Sequence, residues 1–351
     1  MTSLGCGRLV TAALFKFNVK TLENYLLSVV IPVYNMTRFF EPCIASLSPE
    51  SNSWMQVIVV DDGSALCDTD IIRMTIQRHN GSNNVVYYRT EHRGAAAARN
   101  AAISISEGRF LWFVDADDCV VKDRMQCLFS ILDELPDDTE LFHTGSMMPL
   151  SEEIPACSGF QVTKVNAVDL VIPRSACFDH TTYIVSRAFL CREDELRYPE
   201  NYSILEDSLF VIGLLEKARQ VYKSDDLSIY LLRENRYSAT SGPWDTEQST
   251  RFVTDICNFF NRLYSFSSGY DTCRHLSQTY RRYRYVYMRV LAVKGVRWRD
   301  IKRFRDTVPE LAKTKRFTSF SIAEFLLSIP LVHRFMAFLC RHIRKVVCYS
   351  M

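Results

Sequence analysis

Apolar runs of strand length alternate along this chain with stretches of helical period. The first run is LLSVVIPVYN, Leu26–Asn35, where Val29, Val30 and Ile31 make a β-branched core strand. Pro32 stands at its end, where a missing amide donor costs least. Phe39–Leu47 predicts a short helix, Val57–Val60 a second buried strand, Ile71–His79 a helix and Val85–Tyr88 a third strand. The Ala-rich stretch after it predicts a helix from about Ala95, ended by Gly108. Phe110–Val114 is again a continuous apolar run, and a helix over Asp123–Leu135 is broken by Pro136, Asp137 and Asp138. Further strands are expected at Leu141–Thr144, within TTYIVSRAFL, at Val221 and at Ile229–Leu232. A helix begins at Glu206 and Asp207. Residues 145–180, punctuated by Pro149, Pro155, Gly159 and Pro173, read as irregular and acceptor-facing. Alternating strands and helices predict a doubly wound, mainly parallel, Rossmann-like sheet.

Composition adds bounds rather than detail. The chain has 351 residues, 48% of them hydrophobic and 23% charged, an ordinary globular mix with room for one large domain or two. Its net charge of +2 hides an asymmetry: from Asp271 onward there are 18 Lys and Arg against 5 Asp and Glu, so +13, leaving −11 before it. Twelve cysteines without a CxxC pair exclude a zinc ribbon or thioredoxin-like site and suggest reduced, mostly buried thiols in a cytosolic protein. Lys16 interrupts the early apolar run, so a signal peptide is not expected. No stretch approaches the roughly 18 uninterrupted apolar residues of a membrane-spanning helix.

The chemistry gathers where strands end. Asp115, Asp117 and Asp118 follow Phe110–Val114 without a gap, and ligands of open α/β sheets bind beyond the carboxyl ends of the strands. Asp115 and Asp117 point the same way if the chain stays extended, offering hard oxygens to Mg²⁺ or Mn²⁺. A DxD triplet alone reads equally well as a solvated acidic turn. Asp61, Asp62, Gly63 and Ser64 form the polar end of the second strand. Arg93, Arg99 and the helix start near Ala95 are available to an anion, although Arg99 by itself reads better as a salt-bridged structural residue. A GxGxxG fingerprint is missing, which disfavours a dinucleotide cofactor. Glu206 and Asp207 complement a helix dipole, or supply a carboxylate base.

In this order LSVVIPVYN, VIVVDDGS, GAAAARNAA, FVDADD and LEDSLF resemble the family 2 glycosyltransferases, inverting enzymes of the GT-A fold, over about residues 27–240. The resemblance implies a nucleotide-sugar site at Pro32, Val33, Tyr34, Asp61, Asp62, Arg93, Gly94, Asp115, Ala116 and Asp117. Val33 and Tyr34 would meet the uridine and Asp62 the uracil ring. Asp115 and Asp117 would hold the sugar nucleotide and its Mg²⁺ or Mn²⁺. Asp207 would be the catalytic base, with Arg233 or Arg236 near the diphosphate. Phe178–Arg187 departs from the pattern by lacking a Trp before its Tyr; His180 fills that space or lines the acceptor site. Chain-extending relatives carry several membrane helices and a QxxRW motif, and the lack of both points to transfer of one sugar.

The organisation expected is an extension over 1–26, a GT-A domain over 27–240 and a helical basic region over 241–351. Tyr280–Arg305 interleaves aromatics with Arg and Lys, but the upstream carboxylates argue against nucleic acid. The final stretch from Phe320, broken by Pro330, reads as an interfacial segment at an anionic membrane surface, or as a helix packed on the domain. The expectation is a peripheral enzyme on the cytoplasmic face of the inner membrane. It would move a sugar from a UDP-sugar donor to a glycan or lipid-linked saccharide in lipopolysaccharide, O-antigen or capsule assembly. Two rivals stand beside it. A nucleotidyltransferase should carry a Gly-rich loop after the first strand, and IPVYNMTRFF has none; a non-catalytic membrane adaptor would tolerate loss of the carboxylates, and they are present.

Overall fold

A computed structural model of the chain describes residues 8–10, 25–48, 53–79, 84–152, 154, 159–170, 178–202, 204–233 and scattered positions from 251 to 266. The readings made for Arg236, for Tyr280–Arg305 and for the final apolar stretch lie outside these residues. The elements in order are β1 (Arg8–Val10), β2 (Tyr25–Val33), α1 (Thr37–Leu47), β3 (Met55–Asp61), α2 (Leu66–His79), β4 (Val85–Arg89), α3 (Ala95–Ile105), β5 (Gly108–Phe113) and β6 (Cys119–Val120). Next come α4 (Met125–Glu134), β7 (Leu141–His143), β8 (Met148–Pro149), β9 (Phe160–Val165), β10 (Tyr183–Ser186), α5 (Arg187–Arg192), α6 (Glu206–Lys217), β11 (Val221–Lys223) and β12 (Tyr230–Leu232).

Two compact units divide the chain. The first, from residues 1–167, 177–200 and 213–235, contains both sheets; the second takes 168–176, 201–212 and the chain from 236 on. The large sheet has the order β1-β9-β11-β7-β10-β5-β2-β3-β4. Its β5-β2-β3-β4 side is parallel throughout, with Val29 between Val57 and Trp112 and Val59 beside Tyr87. This is the Rossmann-like part, and β2, β3 and β5 are buried on both faces, as parallel strands covered by helices must be, while the edge strand β4 is largely exposed. α3 lies against β2 and β3, and α4 against β2. In α1 the buried Phe40, Cys43, Ile44 and Leu47 recur at helical spacing, while Pro42 is carried inside the helix.

The other side of the sheet is mixed. β10 inserts antiparallel between β5 and β7, and β9 runs antiparallel to β11 and to β1. Residues 145–180 read as irregular in the sequence, yet Phe160–Val165 is a strand of this sheet. Its alternation is weak because only Phe160 is buried. Gly108 does not end α3, which stops at Ile105; it opens β5. A Cβ there would stand 2.5 Å from the Ser28 amide nitrogen, so the strands meet closer than a side chain permits. The Ser28 hydroxyl accepts the Gly108 amide at 2.9 Å and donates to Gln56 Oε1 at 2.7 Å, pinning the relative register of β5, β2 and β3 with buried polar groups.

In the second unit, the described positions between Arg251 and Phe266 are helical. Asp255, Phe259, Leu263 and Phe266 are buried, and Thr254, Asn258, Arg262 and Ser265 exposed, the stripe of an amphipathic helix. Among the described residues no helix is long and apolar enough to cross a membrane. Cys43, Cys67, Cys119, Cys127 and Cys191 are free thiols, with Cys67 and Cys191 exposed rather than buried.

Candidate active site

The carboxyl ends of β2, β3 and β5 bring the Tyr34–Asn35 turn and two acidic turns together in the first unit. At the end of β3 two adjacent carboxylates face opposite ways, as successive side chains of a strand do. Asp61 turns inward and is fully buried. It accepts hydrogen bonds from the Ser64 amide (2.8 Å), the Thr69 hydroxyl (2.9 Å), the Tyr87 hydroxyl (2.7 Å) and the Arg89 guanidinium (3.0 Å). Burial opposes its charge, but these hydrogen bonds outweigh burial and hold the carboxyl below its usual range. Asp61 therefore ties β3 to α2 and β4, and the expectation that it meets a ligand is corrected. The side chains of Val33 and Ala116 are buried in the core, which leaves their backbone to offer.

Asp62 turns the other way. Its Oδ1 accepts the Arg93 amide at 2.9 Å, and its Oδ2 accepts the Gly94 amide at 2.8 Å and His92 Nδ1 at 2.8 Å. Gly94, with φ +95°, caps α3, so the anion that this helix start meets is the Asp62 carboxylate. The Arg93 side chain forms an exposed ion pair with Glu200, and its amide donates to Asp62. Tyr34 is 43% exposed and stacks on the His92 ring, with centroids 3.9 Å apart. Asn35, in the left-handed region at φ 51°, joins the two turns: its Oδ1 accepts the Ala65 amide and its own amide reaches the Ser64 hydroxyl.

Beyond β5, Asp115 is half-buried between Arg99 and His180. Arg99 donates to its Oδ1 at 2.7 Å, and His180 Nε2 lies 3.6 Å from the same oxygen. Burial works against the carboxylate, but Arg99 and then His180 outweigh it and hold the carboxyl well below the usual range. Burial and Arg99 likewise oppose charge on His180, and Asp115 prevails, raising the imidazole above its ordinary value. Arg99 also lies over the Tyr198 ring at 5.2 Å. Asp115 Oδ2 makes no hydrogen bond among the described residues, and Asp117 is half-buried beside it. A carboxylate held ionised by its neighbours with one oxygen turned aside, next to a second carboxylate, is a donor set that fits a hard divalent cation.

Asp118 belongs to the scaffold. It accepts the Tyr230 hydroxyl at 2.8 Å and the Arg233 amide at 2.7 Å, while the Asp115 amide donates to the same Tyr230 oxygen at 3.1 Å. Burial first, then the charges of Asp115 and Asp117, push its carboxyl up to about 7 against those hydrogen bonds. A carboxyl whose folded pKa is raised contributes stability below its unfolded value near 3.8, and that contribution is lost as pH rises through about 7. In chelator-containing buffer the wild type should lose stability relative to Asp118→Asn between those two values. Urea unfolding at several pH values measures the difference, and parallel curves would contradict this assignment.

Asp207 stands in the first turn of α6, half-buried, with its Oδ1 accepting the Ser208 amide at 2.7 Å. Leu205 before it has φ +63°, a strained setting for a branched side chain and of the kind kept where a turn must aim a functional group. Tyr230 and His92 were not predicted as site residues. Arg99 was legible as a salt-bridged residue without its partner, and His180 as a candidate for the missing Trp. Tyr230 reaches Asp118 across 112 positions and had no local signal.

A parallel sheet with Asp62 beyond one strand, the Asp115–Asp117 pair beyond another and a helix start cradling the first carboxylate is the architecture of the GT-A fold class. Residues 28–146 match the family model Glycosyl transferase family 2. The chain is 29% identical over 209 residues to the poly(ribitol-phosphate) beta-glucosyltransferase of Bacillus spizizenii, covering 59% of this chain and 32% of that one. The chain thus spans about a third of that relative's length. S. aureus TarS 1–349, solved in complex with UDP-GlcNAc, superposes with a TM-score of 0.57 at 17% identity, covering 90% of this chain and 91% of TarS 1–349. The mannosyltransferase PcManGT of Pyrobaculum calidifontis, solved with GDP-Man and Mn²⁺, superposes with a TM-score of 0.51 at 13% identity over 95% and 92% of the two chains. Both likenesses are of fold.

Proposed function

We propose that this chain transfers a single sugar from a UDP-sugar to a hydroxyl of a bacterial surface glycan, with inversion at the anomeric carbon. The observation that carries the reading is the pairing, within one family 2 domain, of a cradled carboxylate beyond β3 with the Asp115–Asp117 pair beyond β5. Asp62 and Tyr34 take the base; Asp115 and Asp117 take the sugar diphosphate and would hold Mg²⁺ or Mn²⁺. When bound, the cation supplies Lewis-acid neutralisation of the departing diphosphate. Arg99 and His180 keep Asp115 ionised and aimed. Asp207 receives the proton of the acceptor hydroxyl as its oxygen bonds the anomeric carbon, and the bond from that carbon to the diphosphate breaks with its electron pair leaving on UDP.

The acceptor is a hydroxyl-rich surface polymer or lipid-linked saccharide. The name of the Bacillus spizizenii relative favours a polyol-phosphate chain, and the notions of lipopolysaccharide, O-antigen and capsule stay as wider members of the same acceptor class. UDP release from a panel of UDP-sugars, with Mn²⁺ or Mg²⁺ and no acceptor, tests the donor. Metal-dependent release from one sugar supports the reading and names that sugar. Silence across the panel, with no donor binding by calorimetry, would return the adaptor or a different nucleotide.

The excess of Lys and Arg after Asp271 suits an anionic cytoplasmic leaflet, and a peripheral place on the inner membrane belongs to the same reading. Deleting residues 318–351 should then move the protein from membranes to the soluble fraction on flotation with anionic vesicles. Aggregation of the truncated protein would instead indicate a helix packed on the domain.

A further inference from the structure

The stack of His92 on Tyr34 has the geometry of a bound base. The two rings are 3.9 Å apart between centroids and 13° from parallel, which is how a flat heterocycle lies on a tyrosine. His92 Nδ1 is 2.8 Å from Asp62 Oδ2 and 3.1 Å from the Asp62 carbonyl oxygen. Both are acceptors, so these partners assign the ring proton to Nδ1. A planar ring thus rests on Tyr34 and points an N–H at a buried carboxylate, which is what the imide N–H of a uracil ring would do in the same seat.

The surroundings let the side chain leave while the seat stays. The backbone at 92–94 is held in place: Arg93 and Gly94 donate to Asp62, and a Cβ on Gly63 would come 2.7 Å from the His92 amide nitrogen. The His92 side chain is 52% exposed, so its far side is open to water and rotation about its own torsions needs no movement of the sheet. Once it rotates away, Asp62 keeps both backbone hydrogen bonds, and the position on Oδ2 that Nδ1 held becomes available to another donor.

We infer that the His92 imidazole occupies the seat of the donor's pyrimidine ring in the donor-free protein and is exchanged for that ring when the nucleotide binds. This rests on the UDP-sugar reading above and adds to it a side chain that competes with the donor. One stacked contact and one hydrogen bond make the competitor modest. If the open seat is populated for roughly a tenth to a third of the time, apparent affinity is reduced by about three- to tenfold.

Calorimetric titration of the full chain with UDP tests it, with wild type and His92→Ala compared at equal thermal stability. His92→Ala should bind UDP about three- to tenfold more tightly, because the seat is empty beforehand. In the wild type, the imidazole NMR signals of His92 should lose the ring-current shift from Tyr34 at saturating UDP. Weaker or equal UDP binding by His92→Ala would overturn the inference, the former by making His92 a strut or a nucleotide contact. Imidazole signals that stay put on UDP binding would also overturn it. If folded wild type and folded His92→Ala both ignore UDP, the UDP-donor reading itself fails and the exchange fails with it.

Discussion

Asp207→Asn should bind a UDP-sugar as the wild type does and transfer it slower by roughly 10²- to 10⁴-fold, the usual range for removal of a general base. The substitution keeps size and shape and retains an oxygen that can accept the Ser208 amide, so the first turn of α6 should keep its form. What it removes is the ability to take a proton from the acceptor hydroxyl. Donor affinity, read by calorimetry, should be unchanged, because the base meets the acceptor and not the nucleotide. Transfer to acceptor should fall far more than acceptor-free UDP release, where water stands in for the hydroxyl. Transfer at close to the wild-type rate would sink the assignment of Asp207, with Glu206 next in line.

Asp117→Ala should abolish metal-dependent UDP release while leaving the fold intact. The half-buried carboxylate lies beyond β5 and outside the apolar core, so truncation leaves no cavity there. A cation on the leaving diphosphate is worth several kcal/mol of transition-state stabilisation, and each ~1.4 kcal/mol is tenfold in rate, so a loss of about 10²-fold or more is expected. Titrating Mn²⁺ against release should show saturation in the wild type and no response in the variant. Asp115→Ala should behave differently. It strips Arg99 and His180 of the carboxylate they share and so disturbs packing as well as turnover. A variant at Asp117 that still answered to Mn²⁺ would move the metal to other ligands.

The parallel half of the sheet was legible because its signals are local. Val57–Val60 and Phe110–Val114 are continuous apolar runs, and a strand buried on both faces needs nothing else from its sequence. In the mixed half β7, β10 and β11 were legible as strands, but β9 and the antiparallel pairing were not. β9 has one buried side chain, and β10 pairs antiparallel with β5 and β7, neighbours that no short window of sequence contains. Gly108 shows the limit clearly. As a helix terminator it fits a common pattern, but its position is set by contact with Ser28, 80 residues earlier.

The site divides along the same line. That carboxylates come directly after strands, at Asp61–Asp62 and at Asp115–Asp118, was written in the order of residue types, because a strand delivers the residues at its carboxyl end to a sheet edge. Which of them a ligand could reach was decided by packing. Asp61 and Asp62 are neighbours, and alternation sends one to Thr69, Tyr87 and Arg89 and the other to the α3 start; only the register with β4 says which is which. Sequence alone determined the class of fold and the acids available to it. The Arg99 and His180 side chains that hold Asp115, the hydroxyl that holds Asp118 and the imidazole stacked on Tyr34 were decided by tertiary structure. Charge and ring contacts act through space, between residues that the chain keeps far apart.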